Sequence, residues 1–103
     1  MKILQMPPFK KYVKRLPRHL QQVVLDAVED VMADSVIGEG KKGDLEGFRV
    51  HKFSMGRQLT LLAYRIEKDS LVLYLAGPHE NFYRNLKRNL KEIGRSACKR
   101  QKM

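Results

Sequence analysis

The stretch that decides the fold runs from Gly43 to Tyr83 and reads GDLEGFRVHKFSMGRQLTLLAYRIEKDSLVLYLAGPHENFY. It opens in a turn, Lys42 to Gly47, and then carries three segments of strand character. In Phe48–Phe53 the side chains alternate: Phe48, Val50 and Lys52 take one face, Arg49, His51 and Phe53 the other. Ser54-Met55-Gly56-Arg57 supplies a hairpin turn. Gln58–Glu67 follows as a longer strand, apolar on both faces, which is the pattern of a strand with neighbours and cover on every side. Lys68-Asp69-Ser70 is a second tight turn, and Leu71–Ala76 is again apolar on both faces. Three strands joined by short turns predict an antiparallel meander. Gly77-Pro78 ends it in a loop that carries His79.

Working outward, Lys2–Met6 is a short strand candidate stopped by Pro7-Pro8. Phe9, Tyr12, Val13 and Leu16 fall at helical spacing, with Lys10, Lys11, Lys14 and Arg15 on the opposite side, so a basic amphipathic helix is expected. Pro17 breaks it and opens a second helix. There Leu20, Val23, Val24, Ala27, Val28, Val31 and Met32 form an unbroken apolar stripe, while Asp26, Glu29 and Asp30 stay outside. His19, in its first turn, reads as a solvated surface residue. Gly38, Gly40 and Gly43 then mark a loop. The two helices make a hairpin whose reversals are expected to set the second strand antiparallel to the first. After the meander, Phe82, Leu86, Leu90 and Ile93 predict a last helix clothed in cations, which stops near Gly94. The expected architecture is α+β: one strand, a two-helix hairpin, an antiparallel sheet of about four strands, and a C-terminal helix. Residues 1–95 make a single domain and 96–103 a basic tail.

The 103 residues hold 21 Lys and Arg against 11 acids, a net charge of +10. The excess sits at the two ends. Residues 1–18 have six cations and no acid, and 84–103 have eight cations against Glu92 alone. Such asymmetry points to a polyanionic partner, nucleic acid or an anionic membrane, with plainly solvated basic termini as the alternative. No apolar run reaches the length of a membrane span, and the N-terminus does not read as a signal peptide, so a cytosolic address and no membrane partner are expected. Cys98 stands alone, with no disulfide partner and no ligand spacing beside it, so neither a metal nor another cofactor is expected.

Arg49 and His51 alternate on one strand and Phe53 continues their face; Arg57 lies in the next turn, and His79 and Tyr83 lie just past the last strand. Together these residue types suit cleavage of RNA by its own ribose. A base removes the 2′-hydroxyl proton, the oxygen attacks the adjacent phosphorus, cations hold the charge that builds there, and an acid protonates the departing 5′-oxygen. Histidine serves either proton transfer near neutrality. Arginine matches a phosphate with its fork of donors, and tyrosine can stack on a base. A strand histidine is also commonly structural, and Arg49 and Arg57 could be plain surface charges. Tyr12, Tyr64, Tyr74 and Phe82 read as packing. Phe53 and Met55 either form an exposed apolar spot or cap the sheet edge. The catalytic reading requires His79 to share one pocket with Arg49 and His51.

The element order, with Lys42–Val50, Leu62–Ile66 and Gly77–Tyr83 as its carriers, resembles the RelE/ParE superfamily of bacterial toxin–antitoxin modules over roughly residues 2–92. The Gly-x-His-x-x-x-aromatic run from Gly77 to Tyr83 is similar to that of the ribonuclease members. The resemblance implies a metal-free mRNA interferase that cleaves messenger RNA, often on the ribosome, and a cognate antitoxin that neutralises it. It carries catalytic roles to His79, His51, Arg49, Arg57 and Tyr83, and RNA contacts to Lys52, Arg65, Arg84, Lys87, Arg88 and Lys91. One departure stands out. Ribonuclease members usually place an arginine just inside the third strand, where this chain has Leu61; Arg57 is the nearest cation and could replace it only if the hairpin is longer than usual. Two other readings stay open: a ParE-like inhibitor of DNA gyrase on the same fold, and a non-toxic nucleic-acid-binding module.

Overall fold

The computed structural model describes residues 2–90. Strand β1 (Lys2–Gln5) leads into helix α1 (Pro7–Lys14) and helix α2 (Arg18–Ala33). A two-residue strand β2 (Glu39–Gly40) and a 3-10 turn (Gly43–Leu45) precede β3 (Arg49–Met55), β4 (Gln58–Glu67) and β5 (Ser70–Pro78). A third helix, α3, covers 82–90. The tail, Lys91, Ile93, Gly94 and Cys98 lie outside the described residues.

Prolines set both early helix starts. Pro7 and Pro8 occupy the first positions of α1, where a missing N–H costs nothing, and Pro17 caps α2 in an extended conformation. The α2 stripe is buried at Val24, Ala27, Val28 and Val31 and faces the sheet; Met32, in the last turn, is the exception at 41 % exposed. The meander forms as its pattern predicts. Gly56, at φ 64°, takes the first central position of a two-residue β3–β4 loop, which favours glycine. The sheet order is β1-β5-β4-β3-β2, and β4, apolar on both faces, is its central strand.

Two features differ from the sequence reading. The sheet has five strands, and β1 joins its far edge, parallel to β5 with Lys2 beside Ser70 and Gln5 beside Leu73. Because β5, β4 and β3 alternate in direction, β3 runs the same way as β1, against the antiparallel orientation expected. Strand β2 accounts for the flip. It pairs antiparallel with β3 and inserts one more reversal after the helical hairpin. Two residues are too few to show a period, so the loop reading passed over it.

The sheet is covered on both faces. On one, Phe9 and the α2 stripe pack on Met55, Leu62, Tyr64, Leu71, Leu73 and Ala76. On the other, Phe82 and Leu86 of α3 pack with Leu45 on Val50, Leu61 and Ala63. Tyr64 and Phe82 are core, at 0 % and 2 % exposure, and Met55 is buried beneath Tyr12 rather than forming an exposed spot.

Candidate functional site

His79 stands exposed on a turn whose backbone is tied at two points. Its N–H donates to the Leu59 carbonyl (3.1 Å), and its own carbonyl accepts from Phe82 N–H (3.3 Å). Asn81 makes the corner with φ 59°, a left-handed conformation that Asn tolerates better than most residues. The imidazole is thus presented to solvent from a held backbone at one end of the sheet. The β3–β4 hairpin is the short two-residue kind, not the longer one that would let Arg57 take the place of an arginine at Leu61. Arg57, exposed in that loop, lies at the same end as His79, two residues from Leu59 along β4, about 7 Å at the strand rise.

Tyr83 follows on the α3 face. It is half-buried, edge-on to Phe82 (5.5 Å, 88°), with Lys41 Nζ 5.1 Å from its ring centroid. Tyr83 is the main cause that raises the Lys41 pKa; burial works against it, and Glu39, 3.4 Å away, adds a smaller push upward. Lys52 shares this sheet face by alternation with Val50 and is exposed. Arg65 sits over the Phe48 ring (5.4 Å) and 3.6 Å from Glu67, so part of its charge is already engaged. Arg84, Lys87 and Arg88 are exposed on α3; Lys91 is outside the described residues.

Arg49 and His51 do share a face, but it is the face under α2, opposite Tyr83 and Lys52. Arg49 pairs across the ladder with Tyr64, five residues along β4 from Leu59, so it lies about 17 Å along the sheet from the His79 turn. Its guanidinium is used locally: Nη1 donates to the Gly38 carbonyl (2.7 Å) and, at longer range, to that of Val36 (3.4 Å). Tyr64 works on the same loop. Its hydroxyl donates to the Ser35 carbonyl (2.8 Å) and accepts from Gly38 N–H (3.0 Å). Only glycine fits at 38, because a Cβ there would come within 2.7 Å of the Tyr64 oxygen. Burial raises the Tyr64 pKa, and the Gly38 N–H and Arg49 partly oppose it, so the group acts as a neutral hydrogen-bonding phenol.

His51 is half-buried and stacked on Phe53 (6.1 Å, 20°). Its Nε2 is buried with no hydrogen-bond partner among the described residues. Desolvation lowers its pKa, against a smaller upward pull from Asp30. The single pocket expected for His79, Arg49 and His51 is therefore not assembled. The structure groups His79 with Arg57 at the sheet end and Tyr83 with Lys41 and Lys52 on the α3 face. The sequence reading overlooked Lys41, which only the short β2 brings next to Tyr83.

Residues 3–87 match the sequence model of the ParE-like toxins of type II bacterial toxin–antitoxin systems. The chain belongs to this family. Toxins of this kind pair with a cognate antitoxin. A YoeB/ParE toxin from Agrobacterium tumefaciens superposes on the ParE-like chain with a TM-score of 0.64 at 16% identity, covering 77% of this chain and 99% of its own. YafQ from E. coli gives 0.52 at 16% identity, over 76% and 92%. A copper-bound mutant toxin from Helicobacter pylori gives 0.51 at 18%, over 80% and 98%. At these identities the likeness is one of fold. No curated protein matches the sequence. No described helix of the ParE-like chain is long and apolar enough to cross a membrane.

Proposed function

We propose that this toxin is an endoribonuclease that cuts messenger RNA, on the ribosome, by attack of a ribose 2′-hydroxyl on the adjacent phosphorus. The observation that carries the reading is His79: an exposed imidazole on a backbone fixed to Leu59 and Phe82, one turn ahead of Tyr83. The new bond is 2′-oxygen to phosphorus, and the bond that breaks is phosphorus to 5′-oxygen. His79 moves the proton, as a base toward the 2′-hydroxyl or, once protonated, as an acid toward the leaving oxygen. Arg57, at the same sheet end, meets the charge on the phosphate oxygens. Tyr83 offers a ring for stacking. Lys52, Arg84, Lys87 and Arg88 line the approach with positive charge. In this form Arg49 and His51 belong to the scaffold.

The test is message integrity in a purified translation reaction. Wild-type toxin is expected to fragment a reporter message and His79→Ala to leave it whole. An intact message with folded wild-type protein would overturn the proposal.

A second reading is a ParE-like poison that binds DNA gyrase. It draws support from Arg49 and His51, which are committed to the α2 side and leave a single exposed imidazole at the sheet end. On that reading His79→Ala stays toxic and supercoiling stops while messages remain intact.

A further inference from the structure

Beside His79 the sheet has a gap. Strand β1 covers β5 only from Ser70 to Leu73, and a bond from Met6 N–H to the Leu73 carbonyl (2.9 Å) closes that stretch. From Tyr74 to Pro78 no described strand lies on that edge. A cleft of about 330 Å³ occupies the gap, with α1 on one side and α3 on the other. Its walls include Lys11, Tyr12 and Arg15 from α1, and Asn85, Arg88 and Asn89 from α3. Pro78 and Glu80, the two neighbours of His79, also border it.

The ladder fixes which groups look into the cleft. His79 N–H bonds to the Leu59 carbonyl, so Pro78 and Thr60 face each other as a non-hydrogen-bonded pair. Residues 77 and 79 then turn their peptide groups toward β4. Ala76 turns both its N–H and its carbonyl outward, but the residue is 1 % exposed and these groups are covered; half-buried Pro78 turns out a carbonyl alone. Proline is tolerated here because its missing N–H would have faced outward. At 76–78 the edge therefore offers a ligand one acceptor. A partner strand, which needs a donor at every second residue, gains little from that. An amino group on a nucleobase needs only such an acceptor.

The walls fit the same ligand. Asn85 and Asn89 lie one turn apart on α3, and each amide both donates and accepts. Tyr12 turns its hydroxyl inward to Met55 Sδ (4.0 Å), which leaves its ring as the cleft-side surface, suited to stacking. Lys11, Arg15 and Arg88 carry three positive charges against Glu80, and none of the three has an acidic partner within 4.0 Å among the described residues.

We propose that this cleft is a subsite for one nucleotide of single-stranded RNA. The base edge meets the Pro78 carbonyl and the asparagine amides, the base stacks on Tyr12, and the phosphate lies among Lys11, Arg15 and Arg88. Placing the nucleotide next to the scissile link rests on the ribonuclease reading; the binding itself does not.

The experiment is an amide NMR titration of the full chain with nucleoside 5′-monophosphates, with inorganic phosphate and with a short poly-glutamate peptide. A mononucleotide should give saturable shifts at the His79 amide, which shares its peptide group with the Pro78 carbonyl, and at the Asn85 and Asn89 side-chain amides. Phosphate should move only the residues around the cations. Lys11→Glu with Arg88→Glu should weaken nucleotide binding about tenfold or more. Lys68→Glu, an equal charge change per site at the opposite end of the sheet, should leave it within about twofold. No saturable shift at the His79 amide and the two asparagine side chains, an equal loss in Lys68→Glu, or the same response to phosphate alone would overturn the proposal. So would shifts at these amides with the peptide and none with nucleotides, which would mark a peptide-docking site. If messages stay intact yet nucleotides bind, the ribonuclease reading falls and the subsite stands.

Discussion

Replacing Tyr64 with Phe removes one oxygen from a side chain that is fully buried, and leaves the ring in place. No cavity of consequence opens, so the effect measures the hydroxyl alone. Two hydrogen bonds go: the one given to the Ser35 carbonyl and the one taken from Gly38 N–H. Gly38 is buried, so its N–H is left without a partner, at a cost of about 1–3 kcal/mol. Ser35 is half-buried and water can reach its carbonyl, so that loss adds about 0.5–1 kcal/mol. The total is about 1.5–4 kcal/mol. For a domain of this size it lowers the melting temperature by roughly 6–30 °C. Urea unfolding followed by circular dichroism should show a lower midpoint with an unchanged slope, because the surface exposed on unfolding is nearly the same. A loss below about 1 kcal/mol would refute the claim that Tyr64 anchors the loop after α2.

Arg49→Met should also destabilise, by about 1–3 kcal/mol, through loss of the charge-assisted bond to the Gly38 carbonyl. Measured per folded molecule, its message cleavage should match wild type; loss of cleavage without loss of stability would return Arg49 to the active site. For His51, desolvation places the folded-state pKa below the unfolded value of 6.5, so the unfolded chain takes up the proton first and stability falls as pH drops through 6.5 toward the folded pKa. His51→Leu should flatten that acid limb in urea titrations run between about pH 7.5 and 5; an unchanged limb would show that another group sets it.

Most of the fold was written in local pattern. Pro17, the α2 stripe and the two tight turns each declare themselves within a few residues, and the two-faced apolar run of β4 told its central place. The partner of β1 was not legible, because four residues of strand pattern name no neighbour and the pairing with β5 spans most of the chain. The site divides the same way. Gly77-Pro78, read as the start of the loop, instead end β5 opposite Leu61 and Thr60, so the turn begins at His79; alternation correctly put Arg49 and His51 on one face. Alternation does not say what covers a face, and here α2 and the 35–38 loop cover that one. The cleft residues Lys11 and Arg15 read only as the wet side of a helix, since their meeting with Arg88 depends on β1 ending early.

The most direct measurement is the chemistry of the RNA ends. Fragments from a message translated with wild-type toxin should carry a 2′,3′-cyclic phosphate (or its opened form) on one side of each cut and a 5′-hydroxyl on the other, and His79→Ala should produce none. Cuts ending in 3′-hydroxyl and 5′-phosphate would contradict 2′-hydroxyl attack, and unchanged cutting by folded His79→Ala would remove His79 from the reaction.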